Sequence, residues 1–147
     1  MVTVTIPAEP AAAAPPRSKP GFEESLSTQV QDVYFDFDKA VLRADAQSTL
    51  KSDATALRSI FSDFPSQAVA VEGHCDERGS AEYNLALGDR RAQAVKEYLL
   101  EFGVPAAKLR PISYGKERQV CNDHDESCWQ RNRRVHFSPG QGGPGGD

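Results

Sequence analysis

An acid and a base stand near the middle of this sequence with spacing that could serve one ligand. Asp76 lies in a polar stretch from Gly73 to Ser80, and Arg91 lies in the helical pattern that follows it. Asn84, Leu87 and Arg91 are spaced 3 and 4 apart, which puts them on one stripe of a helix. Each precedes by one position a member of a second stripe, Leu85, Gly88 and Ala92. A one-residue offset turns a side chain by about 100°, so the first stripe projects from the flank while the second packs inward. The loop carboxylate and the guanidinium two turns into the helix then border one cleft. That pair suits a zwitterion. Asp76 accepts from an ammonium group and Arg91 holds a carboxylate in a planar fork, each charge-assisted hydrogen bond contributing about 1.5–3 kcal/mol. The same residues also allow a plainer arrangement, with Asp76 and Arg91 paired to each other or to Asp89, Arg90 and Glu77, and with Leu87 in the core. Spacing does not choose between the two.

Other reactive groups are weaker signals. Cys75, Cys121 and Cys128 are an odd set, so at least one has no partner within the chain. The short polar segment from Cys121 to Cys128 can close as a disulfide loop in an oxidising compartment, contributing about 2–3 kcal/mol through chain entropy; two free thiols are the alternative. His74, Cys75, Asp76, Cys121, His124 and Cys128 are potential metal ligands, but no zinc-type spacing occurs, and no metal or other cofactor is expected. Cys75 beside His74 invites a nucleophile reading. Neighbours in an extended loop point apart, however, and nothing marks an oxyanion hole, so a buried structural cysteine and a structural histidine are expected.

The elements that must position Asp76 and Arg91 follow from periodicity. Val33-Tyr-Phe-Asp-Phe37 alternates as a strand. Ala46, Leu50, Leu57, Phe61 and Phe64 form one face of a helix that Pro65 ends. Ala68 to Glu72 reads as a buried strand, and Ser80 caps the next helix. That helix carries Leu85, Gly88, Ala92, Val95, Leu99 and Phe102 as its apolar stripe, with Gly88 and Ala92 small enough for close approach to a sheet. Gly103 stops it. Pro111 to Tyr114 and Val135 to Phe137 are the last strands. The order β-α-β-α-β-β predicts an α/β two-layer sandwich, with helices on one face of a small mixed sheet.

Composition narrows the function classes. The chain has 147 residues, enough for one ordinary domain. Its net charge of −4 argues against a nucleic-acid binder, and Asn132-Arg-Arg134 reads as a charged strand start paired with nearby acids. No apolar run is long enough to span a membrane. The first residues lack the charged start and apolar core of an export signal, so either the protein stays inside the cell or a signal has been removed. Residues 1–22, rich in Pro and Ala, read as a disordered tether; residues 23–138 as the folded domain; residues 139–147 as a Gly-rich disordered tail.

Several blocks together resemble a known family. They are Val33-Tyr-Phe-Asp-Phe-Asp-Lys39, Val71-Glu-Gly-His-Cys-Asp-Glu-Arg-Gly79 and Glu82-Tyr-Asn-Leu-Ala-Leu-Gly-Asp-Arg-Arg-Ala92, with Val95-Lys-Glu-Tyr-Leu99, Ser113-Tyr-Gly-Lys116 and Asn132-Arg-Arg-Val135. In this order they are similar to the OmpA-like peptidoglycan-binding domains. The Asp-Glu-Arg-Gly and Ser-Tyr-Gly-Lys variants point to the peptidoglycan-associated lipoprotein (Pal) branch. The resemblance implies non-catalytic binding of the peptide stem of peptidoglycan, usually at meso-diaminopimelate. It assigns Asp76 to the ligand's ammonium group and Arg91 to its carboxylate, with Phe37, Asp38, Asn84 and Leu87 lining the pocket. It also implies a lipid anchor on an N-terminal cysteine at the periplasmic face of the outer membrane, and TolB of the Tol system as a partner. No cysteine precedes Cys75, so the expectation is a chain whose anchor has been cut away. An envelope-anchoring protein outside the Tol system and a cell-wall hydrolase are the competing classes. A glycosidase would need two carboxylates, one of raised pKa, whereas Arg91 near Asp76 favours the ionised form.

Overall fold

The computed structural model describes residues 20–140. Most of the proposed tether, and the tail beyond Gly140, lie outside the described residues. Four strands, β1 (Val33–Tyr34), β2 (Val69–His74), β3 (Leu109–Gly115) and β4 (Arg134–Pro139), form one mixed sheet in the order β1-β4-β2-β3. β4 runs antiparallel to both neighbours, and β2 runs parallel to β3. Three helices, α1 (Phe22–Gln29), α2 (Ala44–Asp63) and α3 (Ala81–Glu101), join the sheet in a single core, and a shorter helix, α4 (Glu126–Asn132), precedes β4. This is the α/β sandwich expected from the alternating elements.

Period-2 alternation splits the central strands between two environments. Val69 and Val71 of β2, with Leu109, Val135 and Phe137 of the neighbouring strands, are buried against the helices. From α2 come Leu50, Ala54 and Leu57; from α3 come Ala92, Val95 and Leu99. On the other face Glu72 accepts from His74 Nε2 at 2.9 Å and from the Ser138 hydroxyl. The His74 ring stacks on Tyr114 with centroids 5.4 Å apart. Burial lowers the His74 pKa despite its bond to Glu72.

The structure corrects several local expectations. Two helices were missed. In α1, Phe22 and Leu26 are one turn apart and both buried, and Phe22 meets Phe64 edge-on at 5.8 Å. Two apolar residues are too few to make a periodic signal. The folded part therefore begins at or before Phe22, not at residue 23. At the other end Gly140 is buried, and its N–H donates to the Ala68 carbonyl. α4 has no apolar stripe at all, because it buries Cys128 and Asn132. Leu85, assigned to the core stripe, is 52% exposed. The helix is rotated so that Asn84, Leu87 and Arg91 are buried beside Gly88 and Ala92. In the polar loop after β2, Cys75 is buried as expected, and Asp76 beside it is buried too.

Candidate functional site

The geometry of the site begins with two glycines. A Cβ at Gly73 would lie 1.7 Å from the Gly88 carbonyl oxygen, and one at Gly88 would lie 2.3 Å from Ser113 Oγ. Only glycine allows α3 to sit this close to β2. The close approach draws the first turns of α3 down to the C-terminal end of the strand, where a cleft of about 200 Å³ opens. Ser80 fixes the start of α3 by accepting from Tyr83 N at 3.0 Å, as its sequence position predicted. All six residues expected at a binding site, Phe37, Asp38, Asp76, Asn84, Leu87 and Arg91, line this one cleft, together with Cys75, Arg78, Gly79 and Tyr83.

Arg91 is the most unusual of them. Its side chain is fully buried at 0% exposure. It donates to three backbone carbonyls, from Nε to that of Lys39 at 2.7 Å, from Nη1 to that of His74 at 2.9 Å and from Nη2 to that of Asp36 at 3.0 Å. These bonds tie the β1–α2 loop and the end of β2 to α3. Three of its five N–H groups are thereby satisfied. Among the described residues no carboxylate forms an ion pair with it. Burial lowers its pKa, but a guanidinium stays protonated in proteins. The result is a buried positive charge held by carbonyl dipoles at the wall of a cleft.

Asp76 is handled differently. Its Oδ1 accepts from Arg78 N at 3.0 Å and Nε at 3.1 Å, and its Oδ2 accepts from Arg78 Nη2 at 2.7 Å. Arg133 Nη1 lies 3.5 Å from Oδ2 on the other side. Burial alone would raise the Asp76 pKa, yet the Arg78 bonds, assisted by Arg133, hold it below the ordinary carboxylate value. Asp76 and Arg91 are therefore not paired with each other. The ion partners of Asp76 are Arg78 and Arg133, rather than the Arg90 considered from sequence.

The remaining wall comes from a turn and a helix end. Asp38 has φ of 59°, a left-handed conformation that Asp tolerates better than most residues, and its carboxylate accepts from the Tyr83 hydroxyl. Phe37, 52% exposed, lays its ring 3.9 Å from the Arg78 guanidinium. Asn84 Nδ2 donates to the carbonyls of Arg78 at 2.7 Å and Ser80 at 3.0 Å, closing the loop that carries Asp76. Leu87 is a buried apolar floor. Arg78, Tyr83, Arg133 and Trp129 were missed as site residues. Arg78 had a signal, since it stands two positions after Asp76, whereas Arg133 and Trp129 do not line the cleft and meet its residues Asp76 and Arg78 only through tertiary folding.

The cysteines divide as one pair and one single thiol. Cys121 and Cys128 form a disulfide with Cα atoms 5.4 Å apart. Cys75 is buried, and its thiol donates to the Asn84 carbonyl. Burial pushes its pKa up to about 11, so it is a thiol rather than a thiolate at neutral pH. Asn132, Arg133 and Arg134 are all buried, and the two arginines pair with acids: Arg133 with Glu126 at 2.7 Å, Arg134 with Asp32 at 4.0 Å. No helix among the described residues is long and apolar enough to cross a membrane. None of their His, Cys, Asp and Glu side chains cluster in threes as a metal site would require.

Comparison with known proteins agrees with this architecture. The OmpA family matches residues 34–133. The peptidoglycan-associated lipoprotein of Agrobacterium fabrum is 49% identical over 117 residues, which is 79% of this chain and 64% of that protein. The protein of the same name from Pseudomonas aeruginosa is 44% identical over 115 residues, 78% of this chain and 66% of that one. This chain thus spans slightly under two thirds of these relatives. Among solved structures, the peptidoglycan-associated lipoprotein of Burkholderia pseudomallei superposes with a TM-score of 0.68 at 39% identity, covering 78% of this chain and 92% of that one. A C-terminal domain of Helicobacter pylori MotB shares the fold at TM-score 0.66 and 18% identity.

Proposed function

The chain belongs to the OmpA family, and on that premise we propose that its cleft binds the peptide stem of peptidoglycan without covalent chemistry. The ligand group is the zwitterionic end of a diamino acid, meso-diaminopimelate. Arg91 receives its carboxylate and Asp76 its ammonium group, while Phe37, Asp38, Asn84 and Leu87 form the walls. The observation that carries this reading is Arg91 itself, fully buried, charged and without a carboxylate partner among the described residues. A buried charge in that state is stabilised by an anion entering from the cleft. Two Nη hydrogens, one on each nitrogen, remain to donate to it. The names of the relatives, which couple peptidoglycan with a lipoprotein, support the same ligand.

On this reading the protein is a tether rather than an enzyme. A lipid anchor ahead of residues 1–22 holds it at the periplasmic face of the outer membrane, the domain grips the wall, and TolB is its partner in a Tol-type system that supports envelope integrity and division. The chemistry of the cleft supports binding over hydrolysis. Asp76 is held ionised and cannot donate a proton as a general acid, and Cys75 is no nucleophile at neutral pH.

The test is calorimetry with the tripeptide L-Ala-γ-D-Glu-meso-diaminopimelate against its lysine analogue, which lacks the distal carboxylate. Losing one charge-assisted pair weakens binding about 10- to 100-fold, so the lysine peptide binds at least tenfold more weakly. Asp76→Asn loses affinity for both peptides. Equal affinity for the two peptides would remove Arg91 as the carboxylate site. Release of soluble fragments from purified peptidoglycan would replace the binding reading with a hydrolytic one.

A further inference from the structure

Trp129 is the chain's only tryptophan, and it is not part of the hydrophobic core. Its ring lies 3.9 Å from the Arg78 guanidinium, which also meets the Phe37 ring at 3.9 Å. The edge of the same guanidinium holds both oxygens of Asp76. Two rings and one carboxylate thus fix a side chain that is 32% exposed and would otherwise sample solvent. The indole is itself anchored: Nε1 donates to Glu77 Oε2 at 2.8 Å.

The helix that carries Trp129 is secured at both ends. Cys128, one residue earlier, is bonded to Cys121. Asn132, at the end of α4, accepts from Val120 N at 2.7 Å and donates to the Cys121 carbonyl at 2.8 Å. Asp125 caps the first turn by accepting from Cys128 N at 3.0 Å. α4 also holds the second cation near Asp76, because Glu126 Oε2 accepts from Arg133 Nη2 at 2.7 Å. A seven-residue helix is marginal alone; here covalent and side-chain ties fix its position beside the cleft.

We propose that Trp129 is a positioning residue for the cleft: disulfide-tethered α4 holds its indole against Arg78, Arg78 keeps the Asp76 carboxylate aimed, and α4 thereby sets affinity for the ammonium-bearing part of the ligand. The proposal rests on the reading of Asp76 as the ammonium acceptor. The role of α4 is indirect, since Trp129 does not line the cleft.

The experiment is a double-mutant cycle on the full chain, with calorimetric titration of L-Ala-γ-D-Glu-meso-diaminopimelate and thermal melts to verify folding. Removing one stacking face from a partly exposed guanidinium makes Trp129→Ala bind about three- to tenfold more weakly. Trp129→Phe keeps a ring face and binds within about twofold of wild type. Trp129→Ala added to Arg78→Ala produces no further loss, because the route through Arg78 is already cut. Losses that multiply, or a Trp129→Ala variant that binds as wild type, overturn the proposal. Should Trp129→Ala fail to fold, the Cys121→Ser/Cys128→Ser variant loosens α4 from its other side; it weakens binding in the Arg78 background of wild type and not in Arg78→Ala, and equal losses in both backgrounds overturn the proposal. Tryptophan emission, which comes from Trp129 alone, shifts on Arg78→Ala without ligand, and an unchanged spectrum also overturns it. If Asp76→Asn binds as wild type, the site reading fails. If Asp76→Asn weakens binding and Trp129→Ala does not, only the positioning role fails.

Discussion

Two buried ionisable side chains, Asp53 at the α1–α2 end and Arg91 at the cleft, are treated in opposite ways. Both are almost inaccessible, at 1% and 0% exposure, and neither forms an ion pair among the described residues. Asp53 Oδ1 accepts from Gln31 N at 2.8 Å, while Oδ2 is buried without a partner. Burial, with the nearby charge of Asp32, raises its pKa to about 7. Arg91 has three backbone carbonyls arranged around it and keeps its charge. A carboxylic acid can shed its charge by taking up a proton, whereas a guanidinium cannot. Burial without a partner therefore means something different in each place. At Asp53 it favours the protonated acid; at Arg91, beside a cleft, it leaves a charge on which the proposed anion site rests.

The largest effect comes from joining the two regions at their shared contact. Gly73 and Gly88 let α3 serve the core with Ala92, Val95 and Leu99 and the cleft with Asn84, Leu87 and Arg91. Gly73→Ala drives a methyl into backbone atoms that have no flexible end to yield. It is expected to cost about 3 kcal/mol or more in denaturant titration and to abolish tripeptide binding. A Gly73→Ala variant with wild-type stability would mean that the two ends are not coupled through this contact. Leu99→Ala damages the core end alone. It costs about 2–5 kcal/mol, while affinity of the folded protein stays within about twofold, since Leu99 lies about 12 Å along the helix from Arg91. A parallel fall in affinity would show that the core end governs the cleft.

The core end was the more legible of the two in sequence. Leu50, Leu57, Val95 and Leu99 announce themselves by period, and Pro65 and Gly103 by their turn chemistry. The cleft was legible only in part. Asn84, Leu87 and Arg91 could be placed on one stripe, but a polar residue at helical spacing reads as solvated, and their burial follows from the rotation that leaves Leu85 outside. Arg78 hides its role because it is defined by Phe37, 41 residues before it, and by Trp129, 51 residues after it. No local pattern encodes such a sandwich. Asp53 gave no signal either, as an acid within α2 is an ordinary helix residue until the fold buries it.

The smallest effect is a pH dependence specific to the α1–α2 end. The folded pKa of Asp53 stands well above its ordinary value, near 7 rather than 3.8. Its contribution to stability is therefore full below about pH 4 and is lost as pH rises through about 7, because the unfolded carboxyl releases its proton first. Between pH 6 and pH 7 the loss is about 1 kcal/mol. Asp53→Asn retains the acceptor for Gln31 N and cannot ionise, so the difference between wild type and variant isolates this one group from the histidines that titrate nearby in pH. Chemical denaturation at the two pH values should find the wild type about 1 kcal/mol less stable at the higher pH relative to Asp53→Asn. The cleft should not follow: Asp76 is held on the opposite side of its ordinary value by Arg78, and tripeptide affinity should be flat over the same interval. Parallel stability profiles for wild type and Asp53→Asn would mean that Asp53 is already ionised in the fold, and that the core end, like the cleft, sustains a buried charge.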